Sequence, residues 1–129
     1  MSSISEFLRA RYAEMRTLAE EARDGNWNFQ PYPPLAPGDD PVKYEAAIAR
    51  ARFIEALQPD HTLADLDAKL AILDEHPDVN DGDCGTCVTG RWGYPTHGGS
   101  SPQRYPCRTL RLAAVPFAKH PDYDQRWAL

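Results

Sequence analysis

The residues of this sequence best suited to chemistry are three cysteines in its C-terminal half. Cys84 and Cys87 are separated by two residues, and nineteen residues lie between Cys87 and Cys107. The two-residue spacing lets both sulfurs reach one ion from a tight turn, and zinc binds four thiolate or imidazole ligands in a tetrahedron. We therefore expect Cys84, Cys87 and Cys107 to hold one structural zinc ion together with a histidine.

The fourth ligand has two main candidates among the histidines. His76 is the first choice because it lies at the end of a predicted helix, is followed by the stiff Pro77, and is separated from Cys84 by seven residues. His97 is the alternative, since it lies midway between the second and third cysteines in a glycine-rich loop. The spacing alone leaves both open.

Other chemistry fits these residues less well. A redox-active CxxC pair follows an apolar strand and opens a helix, whereas here the flanks are NDGD and VTGRWG. A disulfide would leave one cysteine unmatched. Residues 78–89 resemble a calcium loop, but the glycine falls one position early and Thr89 replaces the closing glutamate. Nucleotide-binding and hydrolase motifs are absent, so we expect no catalytic residues and no enzyme.

Apolar periodicity predicts two helices in the N-terminal half. Ser3 and Glu6 form a capping box that opens the first helix, and Asp40 with Pro41 opens the second. Residues 24–40 are rich in proline and aromatic residues, which predicts an ordered loop between the helices. The predicted inward-facing residues are Ile4, Phe7, Leu8, Tyr12, Met15, Leu18 and Ala22 in the first helix, and Tyr44, Ala47, Ile48, Ala51, Ile54 and Leu57 in the second.

Two further helices are predicted in the C-terminal half. The third ends at Pro77, and the fourth begins at Arg108 and bends or ends at Pro116. Residues 76–107 between them form the predicted zinc-binding loop region. We therefore expect a mainly α fold with one domain over residues 1–129, a small bundle of about four helices with a loop-rich zinc-binding lobe. The third helix carries a leucine stripe, and the C-terminal aromatic residues can fold back on the bundle: Leu63, Leu66, Leu70, Leu73, Tyr123 and Trp127.

The charge of the chain is unevenly distributed. Its formal net charge is −5, yet residues 84–121 contain five Arg or Lys residues and no Asp or Glu. An acidic protein surface or nucleic acid fits such a segment, but the acidic remainder would repel phosphates and disfavours nucleic acid. The candidate partner-binding residues are Arg91, Trp92, Tyr94, Arg104, Arg108 and Arg111.

The sequence carries no sign of membrane insertion or export. Its apolar runs are much shorter than the roughly 20 residues of a transmembrane helix. The N-terminal residues lack the basic start and apolar stretch of a signal peptide. We expect a cytoplasmic protein, whose reducing surroundings keep cysteines as thiols.

Several segments resemble an uncharacterised family of small proteins from actinobacteria and their phages. The matching segments are EFLRAR at 6–11, LADLDAKLAILDEH at 63–76, the Cys84 and Cys87 pair, YPCRTLRLAA at 105–114, and HPDY at 120–123 with Trp127. The proline-rich loop and the second helix are not part of the resemblance. The resemblance implies a cytoplasmic accessory protein without an established activity, encoded by a bacterium or a phage, with His76 placed to join the cysteines.

These features predict a small zinc-stabilised accessory protein that acts as a protein-binding module. Its expected partner is a host or cellular protein, and a phage-encoded modulator of a host protein is one form of this function. The alternative is a nucleic-acid-binding or transcription-associated zinc protein that uses the basic segment 84–121.

Overall fold

The computed structural model of the chain describes residues 2–23, 35–89 and 101–129. Within these ranges the protein is mainly α-helical and also contains a small sheet. The chain divides into two compact units, Met1–Glu14 with Asp67–Leu129, and Met15–Leu66. The elements are α1 (Ile4–Ala22), α2 (Pro41–Ala56), α3 (Pro59–Glu75), β1 (Asp78–Val79), β2 (Asp83–Val88), β3 (Pro102–Arg104) and α4 (Arg108–Ala114), followed by 3-10 helices at Val115–Phe117 and Gln125–Trp127.

The first two helices are capped as the sequence predicts. The Ser3 N–H donates to Glu6 Oε2 at 2.7 Å, and the Glu6 N–H donates to Ser3 Oγ at 3.2 Å, which is a reciprocal capping box. Asp40 accepts from the Val42 N–H at 3.0 Å, with Pro41 at the first helical position. These local hydrogen bonds determine where α1 and α2 begin.

The core of the first unit is formed by the N-terminal part of α1, by α4 and by the C-terminal tail. The Phe7 ring centroid lies 6.2 Å from that of Phe117, 6.1 Å from that of Tyr123 and 5.1 Å from that of Trp127. The tail therefore packs on α1, as predicted. The buried residues of this unit include Ile4, Phe7, Leu8, Tyr12, Leu73, Leu110, Ala114, Tyr123 and Trp127.

One charged residue, Arg11, belongs to this core with 8% of its surface exposed. Its guanidinium carbon lies 5.3 Å from the Phe7 ring centroid, and its Nη2 donates to Glu14 Oε1 at 2.7 Å. Its Nη1 also contacts the His120 ring. Arg11 and His120 thus connect the EFLRAR and HPDY segments.

A three-stranded antiparallel sheet, in the order β1-β2-β3, occupies part of the segment that the sequence assigned to loops. Asn80, Asp81 and Gly82 turn the chain between β1 and β2, with φ of 50°, 57° and 122°. Asn, Asp and Gly tolerate this left-handed backbone better than other residues. The residues that resemble a calcium loop therefore form a hairpin turn between β1 and β2. The strands were missed because they are short and β2, DCGTCV, lacks apolar alternation.

The predicted inward stripe of α2 is only partly covered: Tyr44, Ile48 and Ala51 are half-buried, whereas Ala47, Ile54 and Leu57 are exposed. None of the residues of α2 is buried, and Ile54 is 48% exposed. Val42 and Phe53, which lie outside the predicted stripe, are 75% and 67% exposed. The apolar residues are spread around this helix, so the periodicity does not define one buried face. Leu18 of α1, also predicted to face inward, is 67% exposed.

Some predictions concern residues outside the described ranges. These are most of the proline-rich loop, at 24–34, and the candidate residues Arg91, Trp92, Tyr94 and His97. The helices of the described ranges include none that is long and apolar enough to cross a membrane.

Candidate metal centre

The three cysteines and His76 converge in the first unit. One ligand atom from each of the four residues lies within 4.8 Å of every other. The His76 Nδ1 lies 3.5 Å from the Sγ of Cys84, 3.4 Å from that of Cys87 and 3.6 Å from that of Cys107. This arrangement can hold a metal ion, and its sulfur-rich donor set suits a soft or borderline cation.

Three different elements bring these ligands together. His76 follows the last residue of α3, where its N–H donates to the Leu73 carbonyl at 3.1 Å and Pro77 prevents another helical turn. The CxxC pair lies on β2. Cys107 is the N-cap residue of α4, and its carbonyl accepts from the Arg111 N–H at 3.1 Å. The ends of two helices and one strand thus meet at the cluster.

The CxxC segment directs backbone N–H groups toward one of its own sulfurs. Cys84 Sγ accepts from the Cys87 N–H at 3.3 Å and from the Thr86 N–H at 3.5 Å. The Thr86 hydroxyl donates to the Glu75 carbonyl at the end of α3. These bonds stabilise a thiolate at Cys84 and attach β2 to α3.

Position 85 requires a glycine because the backbone there lies very close to Pro77. Its N–H donates to the Pro77 carbonyl at 2.9 Å. A Cβ at this position would lie 2.9 Å from Pro77 Cγ and 3.3 Å from Val79 Cγ1, closer than ordinary contacts. Gly85 is not among the residues predicted from the sequence, although a glycine between two candidate ligands is typical of such a close approach.

The thiols of the CxxC pair have opposite pKa shifts. Burial acts to raise the pKa of Cys84, but the backbone N–H groups of Cys87 and Thr86, together with His76, outweigh it and lower that pKa to about 7. At Cys87, burial and the neighbouring Cys107 sulfur raise the pKa to about 11. Without a cation, the cluster therefore favours one thiolate and resists a second, and a bound cation would relieve this repulsion.

Three of the predicted partner-binding residues line one surface groove of the first unit. Arg104, Arg108 and Arg111 border a space of about 540 Å³, together with Thr89, Gln103, Tyr105 and Pro106. Gln103, which the sequence analysis did not single out, accepts from the Arg108 N–H at 3.2 Å through Oε1. The groove lies on β3 and α4, and the cysteines of the cluster lie on the neighbouring strand β2 and at the start of α4.

Comparison with known proteins places the chain in an uncharacterised family, as its segments predict. A protein-family model matches residues 1–129, and its description reads "Family of unknown function (DUF6221)". Searches of curated proteins and of solved structures found no match.

Proposed function

Because the chain belongs to the family of unknown function DUF6221, we propose its function from the site itself: a small zinc-stabilised accessory protein that acts as a protein-binding module. The observation that carries this proposal is the convergence of His76 with Cys84, Cys87 and Cys107. Cytoplasmic location, phage origin and a host protein as partner stay predictions.

The distances from His76 Nδ1 to the three sulfurs fit a tetrahedral zinc ion. Zn–N and Zn–S bonds of about 2.0 and 2.3 Å at tetrahedral angles give an N···S separation of about 3.5 Å. The three separations between His76 Nδ1 and the sulfurs are 3.5, 3.4 and 3.6 Å. Calcium and magnesium prefer oxygen ligands, so the donor set also favours zinc.

A structural role for the ion fits better than a catalytic one. Four protein ligands complete the zinc tetrahedron and leave no position for a reacting water. Cys84 and Cys107 are 3% and 1% exposed, which keeps most of the site away from solvent. An ion bound here links α3, β2 and α4, and structural zinc sites in small peptides contribute on the order of 10 kcal/mol near neutral pH.

The protein-binding role is supported by the arginine-lined groove next to this centre. A rigid, charged surface on a metal-linked scaffold suits recognition of a partner. Nucleic-acid binding through the segment 84–121 is the second candidate, since its arginines would also contact phosphates. The net charge of −5 favours the protein partner.

Metal analysis of the purified full-length protein tests the zinc proposal. We expect about one equivalent of zinc, in keeping with a single four-ligand site. His76→Gln and Cys107→Ser should lose zinc to a chelator at concentrations that leave the wild type loaded. His61→Gln is the matched control because His61 is exposed and lies outside the cluster. A folded, metal-free wild type, or equal zinc retention in His76→Gln and His61→Gln, would refute the proposal.

Affinity capture with zinc-loaded and chelated full-length protein tests the binding role. The expected result is a protein partner that is retained by the zinc-loaded form and lost after chelation, because the metal holds the binding surface together. Nuclease treatment separates the two candidates. Partners that all disappear with nuclease would favour the nucleic-acid alternative.

A further inference from the structure

We infer that the groove lined by Arg104, Arg108 and Arg111 binds an acidic peptide segment of the partner through its Asp or Glu carboxylates. This inference rests on the proposed function and assigns a surface and a ligand chemistry to it. The groove measures about 540 Å³, which is within the usual range of ligand pockets and has room for a few side chains.

Two neighbouring elements place the three arginines around the same space. Arg104 is the last residue of β3, which pairs with the cysteine-bearing strand β2. Arg108 and Arg111 are three residues apart on α4, and this spacing puts them on the same face of the helix. Since Cys107 immediately precedes α4 and the other two cysteines lie on β2, a metal ion in the cluster would hold both sides of the groove in place.

The three groove arginines have no carboxylate partner among the described residues, whereas the other described arginines of the first unit each form an ion pair. Arg9 lies 2.6 Å from the Asp74 carboxylate, Arg11 lies 2.7 Å from that of Glu14, and Arg126 lies 2.5 Å from that of Asp124. Among the described residues, no carboxylate lies within 4.0 Å of the side-chain nitrogens of the groove arginines. Their guanidinium groups therefore offer unneutralised charge to a ligand.

Acidic residues of the protein are nevertheless near one side of the groove. Asp83 is the cross-strand neighbour of Arg104, and the Arg104 Nη1 would lie 3.7 Å from a Cβ placed at Gly82. This position directs part of Arg104 toward the β1–β2 turn. Among the three groove arginines, Arg104 is the one that pairs across the sheet with an acidic residue.

Parts of the groove are held in place before a ligand arrives. Arg111 Nη1 donates to the Ala128 carbonyl at 3.3 Å, which restrains its guanidinium group. Gln103 links α4 to the sheet, because its Oε1 accepts from the Arg108 N–H at 3.2 Å and its Nε2 donates to the Val88 carbonyl at 3.4 Å. Such restraint lowers the entropy lost when a ligand binds.

Carboxylates fit this groove better than nucleic acid. A guanidinium group matches a carboxylate with two parallel hydrogen bonds. Single-stranded nucleic acids also need aromatic rings on which their bases stack. Tyr105 is the aromatic residue among the described lining residues, and it is partly buried.

Fluorescence anisotropy with a labelled hexaglutamate peptide and the zinc-loaded full-length protein tests the inference. Binding should be detectable at low salt, should weaken as salt is added, and should be absent for labelled hexaglutamine. The double variant Arg104→Gln/Arg108→Gln should weaken binding by about tenfold or more. The matched control is Arg50→Gln/Arg52→Gln, which removes the same charge from exposed positions of α2. It should change the affinity less than about twofold.

Three results would overturn the inference: no binding of hexaglutamate, equal losses in the two double variants, or tighter binding of an oligothymidine of equal charge. These results are distinguishable from failure of the proposed function. If zinc content and zinc-dependent capture of a protein partner persist while hexaglutamate fails to bind, the module uses another surface. If the protein contains no zinc, the proposed function itself fails.

Discussion

Gly85 illustrates how closely the chain is packed around the metal ligands. It lies between Cys84 and Cys87, and it is in contact with Pro77, the residue that follows His76. A Cβ 2.9 Å from the Pro77 ring cannot be accommodated by moving the end of a flexible side chain. The strand or the proline must shift instead. The geometry of the candidate metal site therefore depends on a residue that is not one of its four ligands.

Gly85→Ala should weaken metal binding and lower the free energy of unfolding by about 1–3 kcal/mol, the usual cost of inserting an atom into a packed region. Chelator competition and denaturant unfolding measure the two effects. Gly38→Ala is the comparison, since a Cβ at Gly38 meets no atom within 4 Å. Its positive φ of 93° predicts a loss of stability without a loss of zinc affinity. Equal zinc affinities for the wild type and Gly85→Ala would show that the contact with Pro77 is unimportant.

At the scale of the elements, the beginning of α1 combines a helix cap with buried core residues. The capping box of Ser3 and Glu6 satisfies two backbone N–H groups. Ile4, Phe7 and Leu8 follow directly and are at most 3% exposed. The cap thus fixes the start of the segment that packs against the C-terminal tail.

Ser3→Ala removes the side-chain oxygen that accepts from the Glu6 N–H. We expect the free energy of unfolding to fall by about 0.5–2 kcal/mol, as for other N-cap substitutions. Denaturant unfolding followed by circular dichroism measures this change. Ser2→Ala is the matched control, because Ser2 is exposed and precedes the capping box. A loss in Ser2→Ala as large as that in Ser3→Ala would contradict the role of the cap.

In the molecule as a whole, the candidate metal ligands belong to one of two compact units. His76 and the three cysteines all lie in the unit formed by Met1–Glu14 and Asp67–Leu129. Within this unit the ligands connect elements whose sheet strands have only two, six and three residues. Strands this short are marginal without other support. The bound metal would therefore provide much of the stability of this unit.

Removal of the metal by a zinc-selective chelator should lower the melting temperature by about 10 °C or more, because a ligand at a thousand times its Kd stabilises by about 4 kcal/mol. Calorimetry with and without the chelator measures the shift. Added zinc should restore the original melting temperature, whereas magnesium should not, since it disfavours sulfur ligands. An unchanged melting temperature after complete zinc removal would contradict a structural role.

Features that depend on local interactions can be predicted from the amino-acid sequence. Helix starts at Ser3 and Asp40 follow from side chains that bond to N–H groups two or three residues away. The end of α3 follows from Pro77, which cannot continue a helix. The cysteine spacing likewise identified the residues able to bind a metal, because the chemistry belongs to the side chains themselves.

Features that depend on residues distant in the chain become visible in the folded structure. It places His76 at 3.4–3.6 Å from all three sulfurs, whereas spacing alone left His97 open. It buries Arg11 beside His120 and leaves α2 without a buried residue. Periodicity identifies an apolar face but not whether another element covers it. Burial and convergence are long-range properties, so they emerge only when the chain is folded.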